Sequence, residues 1–219
     1  MADDRQQSLN ELLKWGIENS AAPNGDTPAQ PTAPRDPSKG LNPKILAELL
    51  GGPSDADRMR DAMSAIVAPI EQVDLENKLT AWDNFEQLIE QIDNANNIDS
   101  MGMWPPLVQQ LDASEPDMRR MAAWCCSTAV QNNIKCQERF LATGAVRTLA
   151  KLATQDENQG VRKKAVNALS SAVRNYQPAL DELETSLPED VWKRKGLDAG
   201  DMDSVDELIG KLRGQAARQ

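Results

Sequence analysis

Three stretches of the sequence decide the fold: LENKLTAWDNFEQL (residues 75–88), MRRMAAWCCSTAVQ (118–131) and VRKKAVNALSSAVR (161–174). Each stretch starts 43 residues after the one before it, and apolar residues recur along each at helical spacing. Three sets of positions coincide at this offset: Leu79, Ala122 and Ala165; Trp82, Cys125 and Ala168; Asp83, Cys126 and Leu169. Because most of these residues are small or apolar, the alignment predicts three equivalent helices that pack closely together.

Shorter helical segments separate these stretches. MWPPLVQQL and AVRTLAKLA follow Gly102 and Gly144, and the alternation typical of strands does not occur. A period of about 40–47 residues with two or three helices per unit is the length of armadillo or HEAT repeats. The sequence therefore predicts an all-α, armadillo-like, right-handed superhelical solenoid with capping helices. The last helix of each unit would line its concave surface.

Composition divides the chain into four parts. Residues 1–20 form an amphipathic segment, 21–41 a flexible linker with five prolines, 42–213 the armadillo-like helical domain, and 214–219 a C-terminal tail. The apolar residues of the first part follow helical spacing: Leu9, Leu12, Leu13, Trp15 and Ile17. A helix this short is marginal by itself. It is therefore either a detachable recognition segment or a cap that folds back on the solenoid.

The start of the last helix is marked by a capping signal. Ser204 and Glu207 have the spacing of a capping box, which predicts a helix that starts there and continues through Leu208. The surrounding stretch DAGDMDSVDE (198–207) is acidic enough to suggest a calcium loop. It lacks the mid-loop glycine and the alternating oxygen ligands of such a loop, so helix capping is the favoured interpretation.

The residue content excludes much of enzyme chemistry. The chain has no histidine, which removes Ser-His and Cys-His nucleophile pairs, histidine bases and two-histidine zinc helices. Its three cysteines form no CxxC pair, and we expect them to be buried apolar side chains in a reducing compartment. No phosphate-binding glycine loop is present. The sequence thus predicts a protein that is not an enzyme and has no catalytic residue, cofactor or metal.

The charge pattern favours protein partners. A net charge of -10 and a pI of about 4.6 argue against binding to nucleic acid or to an anionic membrane. Residues 71–113 are strongly acidic and 114–180 are basic, a polarity that suits a partner-binding surface, although solvated faces also produce it. The N-terminus has no basic start and no stretch is long enough to span a membrane. We therefore expect a soluble, cytoplasmic monomer.

The three aligned helices predict a row of surface residues on the side opposite their buried Leu and Ala positions. Its members are Ala81, Phe85, Trp124, Thr128, Asn167, Ser171 and Arg174. Trp124 could equally be a core residue. The basic runs Arg119-Arg120 and Arg162-Lys163-Lys164 recur at one repeat phase, which favours a basic strip that faces acidic protein. A mixed surface of small, polar and arginine residues is suited to docking a folded partner.

Four segments of the chain resemble one known family: LLKWGIENS, WDNFEQLIEQIDNANNI, TAVQNNIKCQERFL and ALSSAVRN. They are similar to the armadillo-type nucleotide exchange factors of the 70-kDa heat-shock chaperones, the family of the fungal Fes proteins and the animal Hsp-binding protein. The resemblance implies a cytosolic co-chaperone whose concave face binds the chaperone's nucleotide-binding domain and promotes ADP release. The alternative is a generic armadillo adaptor with no connection to chaperones.

The resemblance also implies two sets of contact residues. The concave face would present Ala81, Asn84, Phe85, Trp124, Thr128, Asn167, Ser171 and Arg174 to the nucleotide-binding domain. The N-terminal segment would imitate an unfolded client in the chaperone's peptide-binding domain through Leu9, Leu12, Leu13, Trp15 and Ile17. Three repeats are visible in the sequence, and a fourth would be degenerate.

Overall fold

The computed structural model describes Leu13 and residues 52–218. The chain divides into two compact units, Met1–Ser54 and Asp55–Gln219. Within the first unit, Leu13 is helical and exposed. The other predicted residues of the amphipathic segment, the proline-rich linker and the start of the helical domain at residue 42 lie outside the described residues.

Helices account for nearly all of the regular structure in the second unit, and no described residue lies in a strand. They are α1 (Asp55–Val67), α2 (Leu75–Ile89), α3 (Ile92–Ser100), α4 (Trp104–Gln109), the 3-10 helix η1 (Gln110–Asp112), α5 (Pro116–Val130), α6 (Ile134–Ala142), α7 (Ala145–Gln155), α8 (Gln159–Val173), α9 (Gln177–Ser186) and α10 (Met202–Arg218). The predicted all-α class is confirmed.

The helices repeat in three-helix units. One unit consists of α3, α4 with η1, and α5, and the next consists of α6, α7 and α8. Helices α5 and α8 have the same length and start 43 residues apart, at Pro116 and Gln159. The long helices α2, α5, α8 and α10 pack side by side in chain order, with α1 against α2. This arrangement is the predicted armadillo-like solenoid.

Left-handed residues make the tight turns between helices. Gly102 (φ 65°) and Gly144 (φ 75°) precede the short helices α4 and α7, as their sequence positions predict. Asn132 (φ 52°) and Asn175 (φ 57°) are 43 residues apart and occupy the same turn, after α5 and after α8. Asparagine tolerates this conformation better than most residues with a side chain. The two turns therefore have the same backbone conformation at the same residue type.

Large aromatic residues set the rotation of α2. Trp82 and Phe85 are fully buried and meet edge to face with their ring centroids 6.4 Å apart. With both rings in the core, Asp83 faces solvent, whereas Cys126 and Leu169 are buried. The sequence alignment predicted equivalent positions for these three residues, and this prediction is wrong at Asp83. The reason is that α2 is rotated about its axis relative to α5 and α8.

Buried polar side chains cap the helices of their neighbours. Lys78 is 6% exposed and donates its ammonium to the carbonyls of Ile66 and Ala68 at the end of α1, and burial lowers its pKa. Gln137 is 1% exposed and donates from Nε2 to three carbonyls at the end of α8, at 3.0–3.1 Å. These bonds satisfy helix-end carbonyls that the core would otherwise leave unpaired.

The last unit has no second helix. Between α9 and α10, residues 187–201 follow an irregular path that still buries five apolar side chains: Leu187, Val191, Trp192, Leu197 and Ala199. Glu184 of α9 is 3% exposed and accepts from the backbone N–H groups of Gly196 (2.8 Å) and Leu197 (3.3 Å). Gln177, also of α9, accepts from the Ala199 N–H and donates to the Leu197 carbonyl. Two side chains of α9 thus take over the backbone bonding of the missing helix.

The boundaries of α10 differ from the sequence prediction. Asp201 caps the helix, since its carboxylate accepts from the backbone of Asp203 and from the backbone and hydroxyl of Ser204. These bonds lower the pKa of Asp201. The predicted capping box at Ser204 therefore starts the helix too late. At the other end, α10 runs to Arg218 and buries Ala216, so residues 214–218 belong to the helix and not to a tail.

Candidate binding face of the long helices

Two arginines at equivalent repeat positions turn inward. Arg119 donates from Nη1 to the carbonyls of Ala113 and Ser114, which lie six and five residues before it. Arg162, 43 residues later, makes the same two bonds to Asp156 and Glu157. Each guanidinium thus holds the loop that enters its own long helix. The predicted basic strip is wrong at these two positions, because both cations serve the fold.

Both arginines also reach into the next layer of the solenoid. Arg119 forms a salt bridge with Asp156 at 2.7 Å, and this pairing raises the pKa of Arg119. Arg162 is 1% exposed and donates from Nε to the Ala216 carbonyl of α10 at 3.3 Å. Only Arg120, Lys163 and Lys164 of the two basic runs are left to face solvent.

Polar contacts connect the solvent-facing sides of consecutive long helices. Thr128 of α5 donates to Glu86 of α2 at 2.7 Å, and the hydroxyls of Ser127 and Ser171 lie 3.0 Å apart between α5 and α8. These contacts place the sides of α2, α5 and α8 in one surface. We call it the long-helix face, and it consists of Glu86, Trp124, Ser127, Thr128, Lys163, Lys164, Asn167, Ser171, Arg174 and Arg213.

Trp124 lies at the centre of this face. Its side chain is half-buried, and the Lys164 ammonium lies 3.5 Å from the ring centroid, a cation–π contact. Burial and the nearby Arg120 lower the pKa of Lys164. Trp124 was interpreted either as a surface residue or as a core residue. Each interpretation is partly right, since the ring packs against the core and also contacts a surface cation.

A polar hollow lies between α5, α8 and α10. Its volume is about 370 Å³. It is lined by Ser127, Gln131, Asn132, Asn167, Ser170, Ser171, Arg174 and Arg213. The hollow therefore brings together three residues of the predicted row, Asn167, Ser171 and Arg174, and none of its lining residues is acidic.

Arg174 has an internal role besides its place in the hollow. Its guanidinium donates to the Ser170 hydroxyl at 3.1 Å, to the Met202 sulfur at 3.5 Å, and to Asp206, with which it forms a salt bridge. The last two residues belong to α10. Arg174 therefore fastens α10 to the end of α8, and its removal would alter the fold as well as the surface.

The remaining predicted residues lie on α2. Ala81 (7% exposed) and Asn84 line a groove of about 790 Å³ between α1 and α2. Phe85 is fully buried, so its assignment to a contact surface is wrong. The rotation of α2 that places Trp82 and Phe85 in the core moves this helix out of register with the row on α5 and α8.

The three cysteines are buried and free, as predicted. Burial raises the pKa of all three thiols, to about 11 for Cys136. Such thiols are poor nucleophiles at neutral pH. Among the described residues, no group of His, Cys, Asp or Glu is placed to hold a metal ion. Within the same residues, every helix is too short or too polar to cross a bilayer.

The sequence alone did not single out Ser127 or Arg213, which line the hollow, or Glu86, which is 7% exposed and accepts from Thr128. Arg213 lies in α10, outside the aligned stretches, so the repeat could not place it opposite α8. Arg213 is exposed and lies one helical turn after Ile209, beside the buried stripe of α10, a position that helical spacing alone does not mark as a contact.

Comparison with known proteins matches two family descriptions to the chain. "Nucleotide exchange factor Fes1" matches residues 9–98, and "SIL1/FES1/HPBP1 C-terminal domain" matches residues 94–185. A crystal structure of an engineered protein is similar in fold, with a TM-score of 0.52 at 15% identity over 79% of this chain and 70% of that one. At that identity the likeness concerns the fold alone.

Relatives from fungi match over nearly the whole chain. The Hsp70 nucleotide exchange factor FES1 of Gibberella zeae is 53% identical over 97% of both chains. That of Coccidioides immitis is 50% identical over 94% of this chain and 96% of its own. The Neurospora crassa protein fes-1 is 44% identical over 96% and 98%. By this identity and coverage, the chain belongs to the Fes1 family of Hsp70 nucleotide exchange factors.

Proposed function

We propose that this protein is a co-chaperone that binds the nucleotide-binding domain of a cytosolic Hsp70 and accelerates ADP release. The observation that carries the proposal is the 53% identity, over 97% of both chains, to a protein named as an Hsp70 nucleotide exchange factor. The inward-facing Arg119 and Arg162 support it indirectly. They stabilise a stack of helices whose exposed side is available for docking.

Exchange by this route needs differential binding and no catalytic group. The protein must hold the open, nucleotide-free form of the chaperone more tightly than the closed form. A hundredfold acceleration of ADP release corresponds to about 2.7 kcal/mol of such preference. A single protein interface can supply that difference through a few well-placed contacts.

The long-helix face is the surface we assign to the nucleotide-binding domain. It includes Glu86 of α2, Trp124 with the Lys164 ammonium over its ring, and the polar hollow next to α10. Aromatic and arginine side chains dominate the binding energy of many interfaces. In this proposal Trp124, Asn167 and Ser171 make direct contacts, Arg174 holds the hollow in shape, and buried Phe85 makes none.

The N-terminal segment has a separate role in the proposal. Leu9, Leu12, Leu13, Trp15 and Ile17 would occupy the peptide-binding domain while the solenoid holds the nucleotide-binding domain. A tether of about 21 residues gives an effective concentration in the millimolar range, so even a weak client mimic would prevent rebinding of a released client. The protein would act as a cytoplasmic monomer.

Stopped-flow release of a fluorescent ADP analogue from a cytosolic Hsp70 tests the main proposal. The intact chain should accelerate release, and Asn167→Glu should reduce the acceleration several-fold because it adds a carboxylate to the exposed face. Asn97→Glu, the same change at an exposed position of α3, is the matched control and should act like wild type. Absence of acceleration by the intact chain would refute the proposed function. Equal loss in both variants would refute the assignment of the face.

Deletion of residues 1–40 tests the segment separately. ADP release should persist, while a labelled client peptide should be displaced less completely from the chaperone. A truncated chain that displaces the peptide as completely as the intact chain would contradict the client-mimic role.

A further inference from the structure

We infer that the hollow between α5, α8 and α10 receives an acidic side chain of the Hsp70 partner, and that Arg213 is the residue that binds its carboxylate. The inference rests on the proposed function and adds the chemistry of one contact. It concerns a residue of α10, which the repeat pattern of the sequence did not reach.

The charge of this hollow is opposite to that of the chain as a whole. The chain has a net charge of -10, yet the hollow is lined by two arginines and by no acidic residue. Arg174 is already paired with Asp206. Arg213 is exposed and forms no ion pair with any residue in the described part of the chain. The hollow thus presents one uncompensated guanidinium.

The other lining groups suit an anion. The hydroxyls of Ser127 and Ser171 share one hydrogen bond at 3.0 Å, so only one of their two protons is used between them. Asn167 is exposed on α8 and carries two further amide donors. A guanidinium with flanking hydroxyl and amide donors is the arrangement that recognises a carboxylate.

The size of the hollow indicates what carries the carboxylate. A volume of about 370 Å³ holds much more than a carboxylate group, and it opens on the long-helix face that we assign to the chaperone. An aspartate or glutamate side chain on a protruding loop of a folded partner would fill it. A contact of this kind steers association as well as strengthening the complex, so it should be sensitive to salt.

Titration of the intact chain against nucleotide-free Hsp70 at several salt concentrations tests the inference. Arg213→Gln should weaken binding about tenfold at low salt, because a charge-assisted hydrogen bond is lost, and the salt dependence of the dissociation constant should become shallower. Arg213→Lys keeps the charge without the planar fork and should recover part of the affinity. Arg218→Gln removes an exposed arginine from the last turn of the same helix and should bind like wild type.

Three outcomes would overturn the inference. They are wild-type affinity in Arg213→Gln, a loss of affinity no larger than that of Arg218→Gln, and a salt dependence equal to that of wild type. Arg213 is exposed, so Arg213→Gln should keep the wild-type melting temperature, and this check separates a lost contact from a lost fold. If wild type fails to bind Hsp70 or to release ADP, the proposed function itself fails, which is a different result.

Discussion

The unit formed by α6, α7 and α8 differs from the last unit in how it fills the space between its outer helices. In the complete unit, α7 lies between α6 and α8 and buries Val146 and Leu149. In the last unit, residues 187–201 replace that helix and bury Trp192 and Leu197 without regular hydrogen bonding. Both arrangements support a long helix, α8 or α10, on the same surface.

The difference shows that the long-helix face depends on the long helices and not on complete repeats. An irregular segment can replace a helix only if its backbone N–H groups find other acceptors. Glu184 and Gln177 supply those acceptors from α9. The complete unit needs no such side-chain acceptors in the corresponding place, because the backbone groups of α7 form the regular hydrogen bonds of a helix. We therefore expect mutations to affect the two units through different side chains.

Loss of Arg162 should have the largest effect, because this side chain connects α8 of the complete unit to α10 of the last unit. Arg162→Met removes the charged bonds that this side chain, itself 1% exposed, donates to the carbonyls of Asp156, Glu157 and Ala216. We expect a loss of about 3 kcal/mol in the free energy of unfolding, measured by urea denaturation.

Arg120→Met is the matched control for this change. Arg120 pairs with Asp117 on the surface of α5, so its replacement should cost less than about 0.5 kcal/mol. Similar costs for the two variants would contradict the joining role of Arg162.

Loss of Glu184 should affect the last unit alone. Glu184→Ala leaves the N–H groups of Gly196 and Leu197 without their acceptor, which should cost about 2 kcal/mol. Hydrogen exchange should accelerate in residues 190–201 and in α10, but not in α7. Glu184→Gln keeps one acceptor oxygen and should fall in between, whereas exposed Glu189→Ala should leave exchange unchanged. Acceleration spread evenly over both units would show that the irregular segment is not held by Glu184.

Loss of Gln137 should affect the complete unit. Gln137→Leu removes the amide that caps the last carbonyls of α8, at a cost of about 1–2 kcal/mol. Thermal denaturation should show a fall of several degrees in the melting temperature for a chain of this length. Gln155→Leu, at an exposed position of α7, is the control and should melt within about one degree of wild type. A stable Gln137→Leu variant would mean that water replaces the cap.

The two left-handed asparagines offer the smallest and most symmetrical test. Asn132→Ala and Asn175→Ala should each cost about 1 kcal/mol, because alanine is strained at their φ values of 52° and 57°. Asn132→Gly and Asn175→Gly should change stability by only a few tenths of a kcal/mol. Unequal costs at the two positions, measured by urea denaturation, would show that the turns after α5 and α8 are not equivalent.

The sequence predicted the repeat better than it predicted the surface. The 43-residue offset identified α5 and α8, since small residues such as Ala122 and Ala165 mark the close packing of equivalent helices. The same offset misplaced Phe85, because periodicity cannot show which way two large aromatic rings rotate α2. It also assigned Arg119 and Arg162 to the surface, because a charged side chain that bonds loop carbonyls has the same sequence pattern as a solvated one.

The last unit was predicted least well, for a physical reason. Its segment 187–201 has no periodicity, and its order depends on Glu184 and Gln177, which look like ordinary exposed residues of α9 in the sequence. Asp201 rather than Ser204 caps α10 because it is the first carboxylate that can reach the free N–H groups of that helix. The bonds of Glu184 and Gln177 join residues 12 to 22 positions apart in the chain, so local spacing cannot predict them.

Lysine footprinting of the intact chain with and without Hsp70 tests the central claim most directly. Lys163 lies on the long-helix face, whereas exposed Lys135 and Lys151 lie on the short helices α6 and α7. If the chaperone binds the long-helix face, acylation of Lys163 should fall strongly in the complex while Lys135 and Lys151 react as in the free protein. Protection of Lys135 or Lys151 with Lys163 still reactive would contradict the account and place the partner on the other side of the solenoid.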